Sequence, residues 1–399
     1  MVVALRKHYW SWGWLLPAWL PLMQTIGRGA FNVVGVIALL WAAIGLYGCK
    51  VTLDRKLLVL YGVLLITFLL SLTVAIDKLT AWHQWLEYAL YTLFALIILA
   101  SIQSVADGVH RFMHALGWSG LIMITMLGVW LLFQVWQPGF SPEKSMREDN
   151  LPLLTPFVLY ALQYDFRLRH WRRAALGVLA AIFLYVIASH GRAALVGLCV
   201  ALLVYSKMVL KVRLRYTGGA AILAIAAAVF LHGGVFHQGA EKSLSLTESI
   251  DRLSTYRTLM WRHALANPPA NIWLGVGMGN VDLHPELLTA TLPNGVPIEV
   301  GKHLHNFLFD CWYSTGTLGL GSLLLWLGFL LWRGMRNWFK ASGELRAVSG
   351  TLMAASIAII ANASLSYSYG SKQFSLYLFM FLAVAAFLKH TPNNTTTSS

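Results

Sequence analysis

Three arginines and a pair of histidines are the residues of this chain whose types could act on a charged substrate: Arg192, Arg257 and Arg262, with His303 and His305. Guanidinium groups grip phosphate oxygens bidentately, and an imidazole can take up one proton near neutrality. Binding of anionic lipid headgroups is the plainer alternative for the arginines, and a structural role the plainer one for His305. Arg192 ends the sequence Ser189-His190-Gly191-Arg192, a hinge between two apolar runs. An arginine at membrane depth is costly enough to signal function unless it snorkels to the surface. Arg257 and Trp261, four residues apart, share one face of a helix expected over 245–266. Ser245 and Glu248 form a capping box at its start, and Asn267-Pro268-Pro269 stops it. Arg252, Arg257 and Arg262 follow at intervals of five, about 140° around a helix, so they do not share one narrow face.

The run Gly275-Val276-Gly277-Met278-Gly279 lacks a third glycine at the right spacing and the strand context of a dinucleotide-binding turn. It reads as a tight turn or a close backbone approach. Residues 233–302 contain Glu241, Glu248, Asp251, Asp282, Glu286 and Glu299 but no Asp-x-Asp pair, so metal-independent chemistry without a cofactor is expected. Cys49, Cys199 and Cys311 lie in or beside apolar runs and have no metal-ligand spacing. Glu87 and Asp310 fall inside apolar runs and are expected to join polar networks.

The elements that must position these groups are membrane helices. Apolar residues make up 58% of the chain and charged residues only 12%, about half the share of a soluble domain. Repeated runs of nearly 20 uncharged residues match a hydrocarbon slab roughly 30 Å thick. They lack the alternation of barrel strands, so the fold class is an all-α integral membrane protein. Spans are expected near 11–26, 30–48, 57–75, 83–103, 113–136, 151–164, 172–189, 191–209, 216–232, 303–332, 347–366 and 371–388. The tenth contains Gly316 and Gly319, where a break is possible. Residues 1–390 form a single transmembrane domain, with one large outer segment at 233–302 and a disordered polar tail at 391–399.

The net charge of +14 invites a nucleic-acid reading, but most Lys and Arg sit in short loops between apolar runs. With the N-terminus inside, nineteen of them fall inside and eleven outside, five of the eleven in the long 233–302 segment. That asymmetry puts both termini in the cytoplasm and 233–302 outside. No nucleic-acid partner is expected.

Three blocks in this frame resemble the bacterial O-antigen ligase family and its polymerase relatives. They are Ser189-x-x-Arg192, then Arg257-x-x-x-Trp261 running on to Gly275-x-Gly277, then His305-Asn306 followed by Gly316-x-x-Gly319-Leu320. The resemblance implies a multi-spanning (GT-C-like) glycosyltransferase of the bacterial inner membrane, with its active site on the periplasmic face. Its donor would be a glycan on undecaprenyl pyrophosphate and its acceptor a sugar hydroxyl of lipid A–core, with membrane lipids around it. Carried over by position, Arg192 and Arg257 would bind the pyrophosphate, Arg262 less directly, and His305 would be the base that activates the acceptor or would orient it. His303, Asn306 and Trp261 would contact substrate. Direct attack would invert the anomeric centre.

An O-antigen polymerase or a protein O-glycosylating ligase would use the same donor. Polymerases usually carry two large outer loops, and a single large one favours a ligase. A lipid transporter or flippase would call for paired repeat halves and midplane charges, and neither stands out.

Overall fold

The structure, a computed structural model, describes residues 15–46, 53–104, 107–136, 150–166, 169–189, 191–213, 254, 256–284, 287 and 303–388. The ninth expected span, the capping box at Ser245 and Glu248, Arg252, most of 233–302 and the tail lie outside them. Among the described residues helices are the only regular secondary structure. The helices are α1 (Leu15–Ile26), α2 (Arg28–Leu46), α3 (Arg55–Leu70), α4 (Lys78–Gln103), α5 (Gly108–Trp136) and α6 (Leu151–Tyr160). They continue with α7 (Trp171–Ala188), α8 (Arg192–Met208), α9 (Arg257–Ala266), α10 (Phe307–Lys340), α11 (Gly343–Ala363) and α12 (Phe379–Ala386).

Each expected span within the described residues coincides with one of these helices. Five are long and apolar enough to cross a bilayer: 55–74, 78–103, 108–133, 307–340 and 343–363. The segments 29–43 and 373–386 are shorter apolar helices. Helix ends differ from expectation where a cap decides them. α4 starts at Lys78 because the Asp77 carboxylate accepts the amides of Leu79 and Thr80. α10 starts at Phe307 because the Asn306 side chain accepts the amides of Leu308 and Phe309.

The centre of the bundle is the π-helical turn Gln373–Leu378 and α12, in which every residue is buried. A helix that is apolar all round belongs inside. α11 packs on α6 and α8 through small residues, and a Cβ on Gly197 would meet Asn362 Cβ at 3.1 Å and the Ala358 carbonyl at 3.3 Å. The outward faces of α2, α3 and α10 expose Val33, Val36, Leu40, Val59, Ile66, Leu325 and Phe339. Such a surface is costly in water and suits hydrocarbon, as a membrane protein requires.

Candidate active site

The site is built on a broken helix. Gly316 takes φ 67° and ψ −171° inside α10, which interrupts the hydrogen-bond ladder there. The freed groups are satisfied by the glycine turn that follows α9. The amides of Val276 and Gly277 donate to the carbonyls of Tyr313 and Ser314, each at 2.9 Å, and the amides of Thr317 and Leu318 donate to Ile272 and Trp273. Backbone groups at membrane depth must be paired inside the protein, and this turn pairs them. The approach demands glycine on both sides. A Cβ at Gly316 would lie 2.2 Å from the Trp273 carbonyl, and one at Gly275 would lie 2.5 Å from that of Tyr313. The expected close backbone approach is therefore present, and its partner is the break in α10.

This joint sets the height of the residues just ahead of α10. Trp261, on α9, donates its indole N–H to the Leu304 carbonyl at 2.8 Å and stacks on Phe309 with ring centres 5.7 Å apart. Asn306 donates to the Ser364 carbonyl at 2.8 Å besides capping α10. Asp310, 2% exposed, accepts the Leu304 amide at 3.2 Å and the Ser368 hydroxyl. These bonds clamp residues 303–306 between α9 and the loop after α11. His305 is held there at φ 52°, a left-handed conformation that non-glycine residues rarely adopt.

A cavity of about 760 Å³ opens on this clamp. Arg257, His303, His305 and Asp310 line one part of it, Ser366–Ser371 and Gln373 another, and Asp77, Thr80, Gln84, Gly279 and Asp282 a third. Arg257 donates to the Leu365 carbonyl, and the rings of His303 and His305 lie 4.6 Å apart. Arg192 is exposed and is not among the lining residues. It nevertheless opens α8 at the same end of the bundle, because Gly197, about 7 Å further along, packs on Asn362 just before the 364–371 loop. Arg262 is exposed on α9 and does not line the cavity, nor do Trp261 and Asn306, whose polar groups support the loop.

The structure thus gathers Arg257, His303 and His305 and adds two walls that the motifs did not indicate. The sequence carried a signal for one of them. Ser364-Leu365-Ser366-Tyr367-Ser368-Tyr369-Gly370-Ser371 is a hydroxyl-rich interruption between apolar runs.

Electrostatics divide the cavity. Burial, His303 and Arg257 together push the His305 imidazole down to about 4, so the ring is neutral at pH 7. Its Nδ1 faces the Ser366 carbonyl at 3.3 Å, and a carbonyl can only accept, so Nδ1 carries the proton and Nε2 keeps the lone pair. On the other side, the Thr80 hydroxyl and amide, with the Leu79 amide, hold Asp77 below the usual carboxylate range. The cavity therefore places a guanidinium and a neutral imidazole on one wall, and carboxylate, amide and hydroxyl groups opposite. Among the described residues no three His, Cys, Asp or Glu gather to hold a metal ion.

An apolar helical bundle with an arginine and a neutral imidazole in a cavity at the mouth of a broken helix defines the class as a helical membrane protein with a polar cavity at one end. Residues 175–324 match the family model described as O-Antigen ligase. The match contains all three sequence blocks, residues 189–320, and excludes the walls contributed by α4 and by the loop after α11. No curated protein matches the chain.

Proposed function

We propose that this chain is an O-antigen ligase that transfers a glycan from undecaprenyl pyrophosphate to a sugar hydroxyl of lipid A–core. It would be a GT-C-like enzyme of about twelve spans in the bacterial inner membrane, with both termini cytoplasmic and the cavity periplasmic. The observation that carries the reading is the placement of Arg257 and His305 on one cavity wall, inside the segment that matches the family.

In this reading Arg257 holds the donor pyrophosphate, whose negative charge grows as the glycosidic bond breaks, so the guanidinium stabilises the transition state more than the ground state. Arg192 contributes from the rim. Nε2 of neutral His305 accepts the proton of the acceptor hydroxyl as its oxygen attacks the anomeric carbon from the face opposite the pyrophosphate, with inversion. The proton goes to His305, and the electron pair of the broken bond leaves with the pyrophosphate. His303 adjoins His305 and completes the polar wall. The hydroxyl, amide and carboxylate walls suit a polyhydroxylated acceptor better than a second phosphate. The chemistry needs no metal ion, because Arg257 and Arg192 supply the positive charge.

The test is complementation of a strain lacking the gene, with lipopolysaccharide resolved on a gel. Wild type restores the long-chain ladder, and His305→Ala and Arg257→Ala do not. An equal ladder from His305→Ala would sink the role given to that residue. Glycan that fails to lengthen on its lipid carrier, with capped lipopolysaccharide still formed, would make the protein a polymerase. Activity abolished by EDTA and restored by Mg²⁺ would overturn the metal-independent mechanism.

A further inference from the structure

At the far end of α10 from the cavity lies a second constellation that the proposed reaction does not use. Lys56, Arg333, Arg336 and Lys340 line a pocket of about 340 Å³ with Phe329 and Trp332. Asp54 behind it is taken up by Arg333, at 2.6 Å, and by the N-terminal amides of α3. Arg333 is further fixed over the Phe387 ring at 4.2 Å. Arg336 lies over Trp332 at 5.6 Å, and the structure gives it, Lys56 and Lys340 no carboxylate among the described residues. Three exposed cations therefore converge on one small pocket without a counter-ion.

The lipid-facing surface of the same helix leads into this pocket. Leu318, Leu325, Trp332 and Phe339 recur every seven residues, so they lie almost in line along α10, and each is exposed, at 42%, 65%, 58% and 67%. The stripe is apolar and runs into the cationic pocket, which Trp332 lines. From Asp310 to Arg336 the helix rises roughly 39 Å, close to a full bilayer with its interfacial regions. The pocket is therefore at headgroup depth in the leaflet opposite the candidate active site.

We infer that this pocket is a binding site for an anionic phospholipid, with the phosphate held by Lys56, Arg336 and Lys340 and an acyl chain lying along the Leu325–Trp332 stripe. Arginine and lysine together, edged by an indole, are what phosphate headgroups select at an interface. The stripe favours a lipid over a free phosphate, which needs no apolar track.

The full chain would be placed in nanodiscs of phosphatidylcholine with and without phosphatidylglycerol. Thermal unfolding and native mass spectrometry of retained lipid would be recorded. Wild type should be stabilised by phosphatidylglycerol and retain it over phosphatidylcholine. The exposed triple variant Lys56→Gln/Arg336→Gln/Lys340→Gln should lose that preference by roughly tenfold or more. A charge-matched control, Arg169→Gln/Arg172→Gln/Arg173→Gln, removes three exposed cations near the start of α7 and should keep the preference. Equal loss in both variants would mean bulk surface charge and overturn the site. Inorganic phosphate reproducing the stabilisation in phosphatidylcholine discs would overturn the lipid assignment, and no preference in wild type would overturn both.

Discussion

His305 is under opposing demands at the scale of a single residue. Burial, His303 and the Arg257 guanidinium keep it neutral, which makes it available as a base but a weak one. A bound pyrophosphate would reverse part of that shift, because a nearby negative charge favours the imidazolium. Two limbs are therefore expected in the acid range. kcat/KM, which reports the free enzyme, should stay level down to about pH 5 and fall through about pH 4. kcat, which reports the bound enzyme, should fall at a higher pH. Coincident limbs near the ordinary histidine value would contradict the buried, cation-flanked site. The same shift works against stability in acid. The unfolded chain takes up a proton at His305 from about 6.5, the folded one only near 4, so stability contributed by this site is lost as pH falls through that window.

The helix break at Gly316 and the glycine turn at 275–279 form one joint at the scale of elements. Gly316→Ala must place a Cβ against the Trp273 carbonyl and hold φ 67°, so it should cost about 1–3 kcal/mol or prevent accumulation of the protein. Gly328→Ala, in the same helix with nothing within 4 Å of its Cβ, should be neutral or stabilising by up to about 1 kcal/mol. Detergent-solubilised thermal unfolding would compare the two. Equal behaviour would mean that α10 tolerates a continuous helix. Both glycines of the joint were visible as motif positions. Their meeting was not, because the segments 272–277 and 313–318 around them are joined by backbone hydrogen bonds that carry no side-chain signature.

The described helices bring one end of α4, α9 and α10 and the loop after α11 to the cavity, and the start of α3 and the far end of α10 to the cationic pocket. In the proposed orientation the first end is periplasmic. Single cysteines at Asp282 and Lys340 should then react from opposite sides, since native Cys199 and Cys311 are buried and Cys49 can be replaced by Ser. An impermeant maleimide should label Asp282→Cys in intact spheroplasts and Lys340→Cys only after lysis. The reverse pattern would invert the topology and move the reaction to the other leaflet.

Hydrophobic run length and loop charge are local quantities, so the sequence alone determined the helical class, the approximate position of each described helix and the expected orientation. It also singled out Arg257, His303 and His305 as candidates for one site, Arg257 and His305 through blocks that resemble the family's in order and spacing. Tertiary structure alone decided which of the singled-out residues face the cavity. Trp261 and Asn306 stand within the same motifs as Arg257 and His305, yet their polar groups are spent on the Leu304 and Ser364 carbonyls. Only tertiary contacts supplied the opposite walls: Asn280 ties the start of α4 to the glycine turn, and Asp310 and Ser368 tie the 364–371 loop to residues 303–306. A cavity is a property of what several distant segments enclose, and no window of sequence contains it.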